Sequence, residues 1–335
     1  MKSFIFIMIL STFFFAKDIK PVMIYDTNII MDKAWNEAIH RGITLFEKKT
    51  QIDIKEDFAL NKEEFASKVT NYTKEGYSPI LFNSLYKEKK ELVKNIIFNY
   101  PKTRFIVFNG SYNIPNIHYF IFSNQESSFL AGYLASKKSK SKKLGFIGGM
   151  DIPLIRNFLC GYIKGAKYAD PNTQIISQYV GRDSTDAWTS PDKAFSLALS
   201  QIKEGADVLF SPAGGSAIGV LKAASEKNLL AIGVDSNQNH LYPGNVLTST
   251  LVRVDNAVFR SLIAAKREIW GDQMKVMGLQ ENGVGLAFDK YNKDLISKEL
   301  KEEIEYLKAD ILLNKIDLPN YDLIKKCQHN GKILF

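Results

Sequence analysis

Histidine is scarce in this chain, with four in 335 residues, and they stand far apart at His40, His118, His240 and His329. No His-Glu-x-x-His pattern or tight His/carboxylate cluster groups them. A metal site needs several ligands converging on one ion, so no metal is expected, and no cofactor. Cysteine is scarcer still: Cys160 and Cys327. Neither follows the apolar N-terminal run, so a lipid anchor on cysteine is not available there. Cys160 lies in the apolar helical stretch Phe158-Leu159-Cys160-Gly161-Tyr162, where a buried packing thiol is the expected state. A bridge to Cys327 is permitted by export but is not the expected arrangement. The chain also lacks Gly-x-Gly-x-x-Gly and P-loop patterns, so nucleotide phosphates have no cradle. Ser216 stands in Gly-Gly-Ser-Ala-Ile-Gly, which is not the Gly-x-Ser-x-Gly elbow of a nucleophile. An enzymatic reading therefore has no anchor.

Long hydrophobic runs are absent after the start. Phe4 to Phe15 is apolar apart from Ser11 and Thr12, follows Lys2, and is too short to span a bilayer. It reads as a secretory signal over residues 1–16, with Ala16 before the cut and the mature chain starting near Lys17. Cleavage removes Lys2 and lowers the formal net charge from +8 to +7. The rival readings are an uncleaved anchor or a buried first strand. Positive charge is spread over the chain except for Lys137-Lys138-Ser139-Lys140-Ser141-Lys142-Lys143. Lying between a helix and a strand, and with no nucleic-acid-binding motif beside it, that run reads as a solvated loop. No nucleic-acid partner is expected.

What is present is an alternation of strand and helix signals. Continuous apolar runs fall at 22–25, 79–82, 105–108, 144–147, 208–210, 230–234 and 246–251. Helical periodicity falls at about 32–49, 61–75, 86–100, 124–137, 153–169, 192–204, 216–228, 254–270 and 292–308. Such alternation implies βαβ units, and unbroken apolar strands imply a parallel sheet covered on both faces. Two α/β halves are expected. Residues 17–122 with about 248–284 form the first lobe, and 123–247 with about 285–335 the second. Phe120-Ile121-Phe122 reads as a crossover, with Ser123 or Asn124 capping the next helix. Several crossings between lobes make a hinge suited to closure on a ligand.

Two aspartates stand at strand carboxyl ends, Asp26 after Val22-Met23-Ile24-Tyr25 and Asp235 after Ala231-Ile232-Gly233-Val234. Side chains there face the ligand crevice of an open α/β sheet. Gly148-Gly149 and Gly214-Gly215 each follow a strand. The first pair reads as structural, and the second opens a helix whose free N–H groups can face a ligand. Trp35 sits at the start of an amphipathic helix, where core packing is the stronger reading from the residues alone. Trp188 lies in the polar loop Asp183 to Pro191, where an exposed indole is costly, so it either lines a pocket or packs.

With these residues in place the chain resembles the basic membrane protein family of ABC-transporter substrate-binding proteins, which includes bacterial purine nucleoside receptors. Asp32-Lys33-Ala34-Trp35-Asn36-Glu37-Ala38 is similar to the family's Asp-Lys-Ser-Phe-Asn-Gln-Ser. The blocks at 126–133, 143–149, 161–169, 205–210, 232–236, 246–249 and 278–285 follow in the family's order. The resemblance implies a type I periplasmic binding protein: two Rossmann-like lobes joined by a multi-crossing hinge, with ligand between them. It implies two aromatics sandwiching a base, at Trp35 and at Trp188, three residues before Pro191. It also implies that Asp26 contacts the base and Asp235 the ribose. The expected binding set is Asp26, Trp35, Asn36, Asn83, Asn109, Trp188, Gly214 and Asp235.

Two positions depart from the family. Asn109 replaces an aspartate after Phe105-Ile106-Val107-Phe108, and Val252 replaces the lysine that grips ribose. Losing both avoids leaving either charge buried alone. It also removes charged partners of the sugar, while two tryptophans suit a purine or a larger ring such as a flavin. The expectation is an exported or periplasmic monomer that binds a nucleoside-like small molecule. It would deliver that ligand to an ABC permease and its ATPase, reaching the membrane through them. The alternatives are a riboflavin-type receptor, a nucleoside-acting enzyme and a ligand-sensing regulator. The missing catalytic constellation opposes the enzyme. The signal-like start, with no N-terminal DNA-binding segment, opposes the regulator.

Overall fold

The computed structural model describes residues 19–83, 87–109, 114–181, 184–270, 274–318, 321, 326–329 and 332–333. The apolar N-terminal run lies outside them. Two six-stranded sheets organise the chain. The first has β1 (Val22–Tyr25), β2 (Lys55–Phe58), β3 (Ile80–Asn83), β4 (Phe105–Phe108), β5 (Ile117–Phe122) and β11 (Met274–Met277), in spatial order β11-β5-β4-β3-β1-β2 and wholly parallel. The second has β6 (Lys143–Gly148), β7 (Gln174–Tyr179), β8 (Val208–Phe210), β9 (Leu230–Asp235), β10 (Val246–Val252) and β12 (Val284–Leu286), in order β12-β10-β9-β8-β6-β7. Only β12 runs antiparallel there.

The apolar runs seen in the sequence became the inner strands. All four residues of β1, β3 and β4 are buried, as helices on both faces require. β2 (Lys-Glu-Asp-Phe) and β7 are edge strands that are half in solvent, so their polar sequences carry no apolar run. The segment read as a crossover, Phe120-Ile121-Phe122, is the end of a full strand, β5.

The helices are α1 (Trp35–Thr50), α2 (Lys62–Lys74), α3 (Lys87–Asn99), α4 (Asn124–Lys138), α5 (Pro153–Ala169), α6 (Pro191–Lys203), α7 (Ala217–Glu226), α8 (Val254–Lys266) and α9 (Lys298–Leu312). In α1 the spacing of Ile39, Ile43 and Phe46 puts one apolar stripe on the core. α4 and α5 pack so closely that a Cβ at Gly165 would fall 1.8 Å from the Phe129 carbonyl oxygen, and one at Gly132 2.1 Å from that of Tyr162. α4 is buried almost all round, which is why its hydrophobic pattern is weak. Ser123 takes the N-cap position but makes no side-chain cap bond, and Asn124 is the first helical residue rather than a cap.

Three segments join the sheets: β5 to α4 at Ser123, β10 to α8 at Arg253, and β11 to β12 through 278–283. β10 lies whole in the second sheet, paired with β9 and β12. The return to the first lobe therefore follows Val252, whereas the expected boundary at 248 would cut this strand. The third segment is bonded to both others. Ser123 N donates to Met277 O at 3.1 Å, and Leu279 N to Glu126 Oε2 at 2.7 Å. Arg253 N donates to Gly283 O at 2.8 Å and its guanidinium to Val284 O at 3.2 Å. Burial raises the Glu126 carboxyl above its ordinary pKa.

Cys160 and Cys327 form a disulfide with a Cα–Cα distance of 5.5 Å, both residues buried beside Tyr321. The expectation of a free packing thiol is thus corrected. The apolar face of α5 that buries Cys160 is covered by the C-terminal segment, which brings Cys327 to it. The basic run folds as a loop around an acid. Ser139 Oγ and the N–H groups of Lys140 and Ser141 donate to the Asp207 carboxylate, while Lys137 pairs with Glu303 and Lys142 with Asp170.

Candidate functional site

The carboxyl ends of both sheets face one cleft of about 680 Å³, part of it open to solvent. All eight residues expected from the sequence line it: Asp26, Trp35, Asn36, Asn83, Asn109, Trp188, Gly214 and Asp235. Val252 lines it as well. The described lining residues include no lysine, arginine or histidine, and no cluster of potential metal ligands occurs among the described residues.

On the first lobe the loop from Asp26 to Ala34 is built by side chains. Asp32 accepts from the N–H groups of Ala34 (2.8 Å), Asn36 (3.1 Å) and Glu37 (3.1 Å), capping α1 although the formal cap is Ala34. Desolvation nevertheless raises the Asp32 pKa against those bonds. Asn36 donates its amide to Thr27 Oγ1 (3.1 Å) and Ile29 O (2.9 Å), so it fastens the loop while facing the cleft. Trp35 is half-buried. Its Nε1 donates to Asn83 Oδ1 at 3.1 Å, and its ring edge meets Phe122 and Phe108 with centroids 5.7 and 6.4 Å apart. Core packing and cleft lining are both realised by one ring. Asn109 follows β4 at φ +57°, a left-handed conformation that asparagine tolerates better than most residues.

On the second lobe Trp188 ends a 3₁₀ turn, Thr185–Trp188. Ser216 Oγ donates to Ala187 O (2.8 Å) and accepts from Ser190 N (2.7 Å), so its hydroxyl brackets the tryptophan turn. The indole lies on Gly149, where a Cβ would stand 2.2 Å from Cζ3. Gly149, read as generally structural, is the seat of this ring. At Gly214, φ +55°, an added Cβ would reach van der Waals distance of the same residue. Asp235 ends β9 at φ +62°. Its carboxyl is pushed up to about 8, first by desolvation and then by the nearby Asp32 charge. The rims of the lobes also touch: Ser236 Oγ donates to Ala34 O (2.8 Å), Gln238 Nε2 to Lys33 O (3.0 Å) and Arg41 to Ser236 Oγ (3.1 Å).

Sequence reasoning missed part of the wall. Leu154, Ile155 and Phe158 of α5, with Pro212 and Val234, supply apolar surface, and Thr27 and Asn124 add polar atoms. α5 could have been suspected, since it begins directly after the Gly148-Gly149 strand end. Among the described residues no helix is long and apolar enough to cross a membrane.

Comparison with known proteins places these features in company. Residues 19–322 match the family model Bmp, described as ABC transporter substrate-binding protein PnrA-like. Basic membrane protein D of Borreliella burgdorferi strain JD1 is 32% identical over 285 residues, 81% of this chain and 80% of that relative. Basic membrane protein A of Borreliella burgdorferi strain B31 is 30% identical over 299 residues, 86% of this chain and 84% of that relative. Among solved structures, a solute-binding protein of an ABC transporter system from Aeropyrum pernix K1 superposes with a TM-score of 0.81 at 20% identity, covering 89% of this chain and 92% of its own. A transcriptional activator of the comK gene from Bacillus halodurans gives 0.71 at 21% identity, covering 93% and 100%. At such identities these two show the fold alone, the two-lobed type I periplasmic binding architecture.

Proposed function

From the premise that this chain belongs to the Bmp family of PnrA-like ABC transporter substrate-binding proteins, we propose that it is an exported, non-enzymatic receptor for a neutral planar heteroaromatic solute, a purine nucleoside or close relative. It acts as a monomer and hands the ligand to an ABC permease and its ATPase. The observation that carries this is the pairing of Trp35 and Trp188, one from each lobe, across a cleft whose described lining holds carboxylates and carboxamides but no cation. Two indoles stack on any aromatic ring, and each such stack is worth about 1–3 kcal/mol. Asp26 and Asp235 accept hydrogen bonds from ring N–H and hydroxyl groups. A phosphate would enter a cleft lined by aspartates with no cation among the described lining residues to pair it.

A flavin is the second reading. The apolar wall of Leu154, Ile155 and Phe158 beside two wide indole faces favours it, as does Val252 where the family resemblance places a ribose-gripping lysine. Titration calorimetry with adenosine, guanosine, inosine, free bases, riboflavin and the matching nucleotides decides between them. Binding of one uncharged class is expected. A nucleotide bound tightly with none of the uncharged compounds overturns the reading. N-terminal sequencing of secreted protein should find a start near Lys17, and an intact Met1 on cytosolic protein would refute export.

A further inference from the structure

The first residue of α4, Asn124, is 2% exposed, lines the cleft, and has a side-chain oxygen with no hydrogen-bond partner among the described residues. A buried carbonyl left unpaired costs about 1–3 kcal/mol. It does no capping: the cap position belongs to Ser123, and the Asn124 oxygen bonds none of the free N–H groups of the first turn. Asn124 also stands at the hinge, one residue past the first crossing, as Val252 stands one residue before the second. A residue at the hinge end of the cleft thus carries a buried neutral acceptor with no partner among the described residues.

We infer that Asn124 is a specificity-determining residue whose carbonyl accepts a hydrogen bond from an N–H or O–H on the hinge-facing end of the ligand. This rests on the reading of the cleft as a nucleoside-type site. The neutral acceptor suits a neutral donor: it rewards a hydroxyl or amine and leaves any acceptor or phosphate oxygen facing another oxygen. A site with a buried hydrogen-bonding group rejects analogues lacking the matching group far more strongly than an apolar pocket rejects a lost methylene. The donor has two possible sources, the sugar hydroxyls or the amino group and ring N–H of the base.

The test pairs protein and ligand deletions. Adenosine, 2′-deoxyadenosine, 3′-deoxyadenosine, 5′-deoxyadenosine and purine riboside, which lacks the exocyclic amine, are titrated into wild type, Asn124→Leu and Asn124→Asp. Asn124→Leu should weaken adenosine about 10–100-fold, a loss of one satisfied buried bond. For the one analogue missing the contacted donor, wild type and Asn124→Leu should bind alike. A sugar-deoxy analogue in that role assigns the donor to the sugar, and purine riboside assigns it to the base. Asn124→Asp keeps an acceptor, though as a buried carboxyl in a cleft already lined by aspartates, and should bind adenosine more tightly than Asn124→Leu does. A second readout needs no ligand. Removing an unpaired buried acceptor should leave the ligand-free Tm of Asn124→Leu unchanged or raise it, whereas a structural asparagine would lower it by several degrees. Equal weakening of every analogue, or a fall in ligand-free Tm, overturns the inference. If wild type binds none of these compounds the nucleoside reading fails. The Tm then still decides whether Asn124 is held unpaired for another ligand or is structural.

Discussion

Gly149→Ala probes the aromatic clamp without replacing any residue that lines the cleft. The added Cβ would stand 2.2, 2.5 and 2.9 Å from three ring atoms of Trp188. Ordinary contact begins near 3.4 Å, so the ring edge must retreat by 3.4 − 2.2, about 1.2 Å. Neither backbone can give way easily. Gly149 N donates to Pro212 O (3.0 Å) and its carbonyl accepts from Gly181 N (3.0 Å), while the Ala187 carbonyl before Trp188 is held by Ser216. The indole itself must turn. A ring displaced by more than 1 Å loses most of a stack worth about 1–3 kcal/mol, so adenosine, or whichever uncharged ring the wild type binds, should weaken about 10–100-fold. Overpacking at one position costs about 1–3 kcal/mol of stability, which a chain of this size shows as a modest fall in Tm. Calorimetry gives the affinity and the near-ultraviolet circular dichroism reports the indole environment. A folded Gly149→Ala protein with wild-type affinity would refute Trp188 as a stacking face.

Further outcomes are expected. Trp35→Ala and Trp188→Ala should each cost about 1–3 kcal/mol of ligand affinity by calorimetry, with Trp35 also lowering Tm because Phe122 and Phe108 pack on its edge. The Asp235 carboxyl, ordinarily at 3.8 and here near 8, keeps a proton that the unfolded chain loses above pH 4. Ligand-free stability should therefore decline from about pH 4 to pH 8, at most about 1.4 kcal/mol per pH unit from this group, and level off above. Tm against pH for wild type and Asp235→Asn checks this, with the variant showing the shallower decline, and parallel curves would contradict it. Replacing Cys160 and Cys327 by serine should lower stability by about 2–5 kcal/mol in denaturant melts. Ligand affinity should be unchanged, since neither residue lines the cleft.

The inner strands other than β5, and the aspartates at their ends, were legible because burial on both faces writes an unbroken apolar run, and a strand's carboxyl end fixes where the next side chain points. β2 and β7 were not, because an edge strand half in water has polar residues on one face. The placement of β10 failed for a different reason. Its apolar run is equally compatible with either sheet, and only the register against Ala231 to Asp235 assigns it to the second. At the site, Trp35 and Trp188 were nameable from motif resemblance, but Asn124 was not. An asparagine after a serine at a helix start reads as a cap, and only the burial of its unpaired oxygen shows otherwise. The disulfide escaped because 167 residues separate its partners and nothing local to either sequence brings them together.

The three connections between the lobes are not independent strings. Because the segment 278–283 is bonded on one side to Ser123 and Glu126 and on the other to Arg253, they behave as one laced ribbon. A ribbon resists shear and splaying but bends across its width, so opening and closing are confined to a single axis. On the proposed clamp reading, that axis is the one about which Trp35 and Trp188, which line the cleft from opposite lobes, separate and return. Glu126 and Arg253, neither of which lines the cleft, are the stitches of that ribbon.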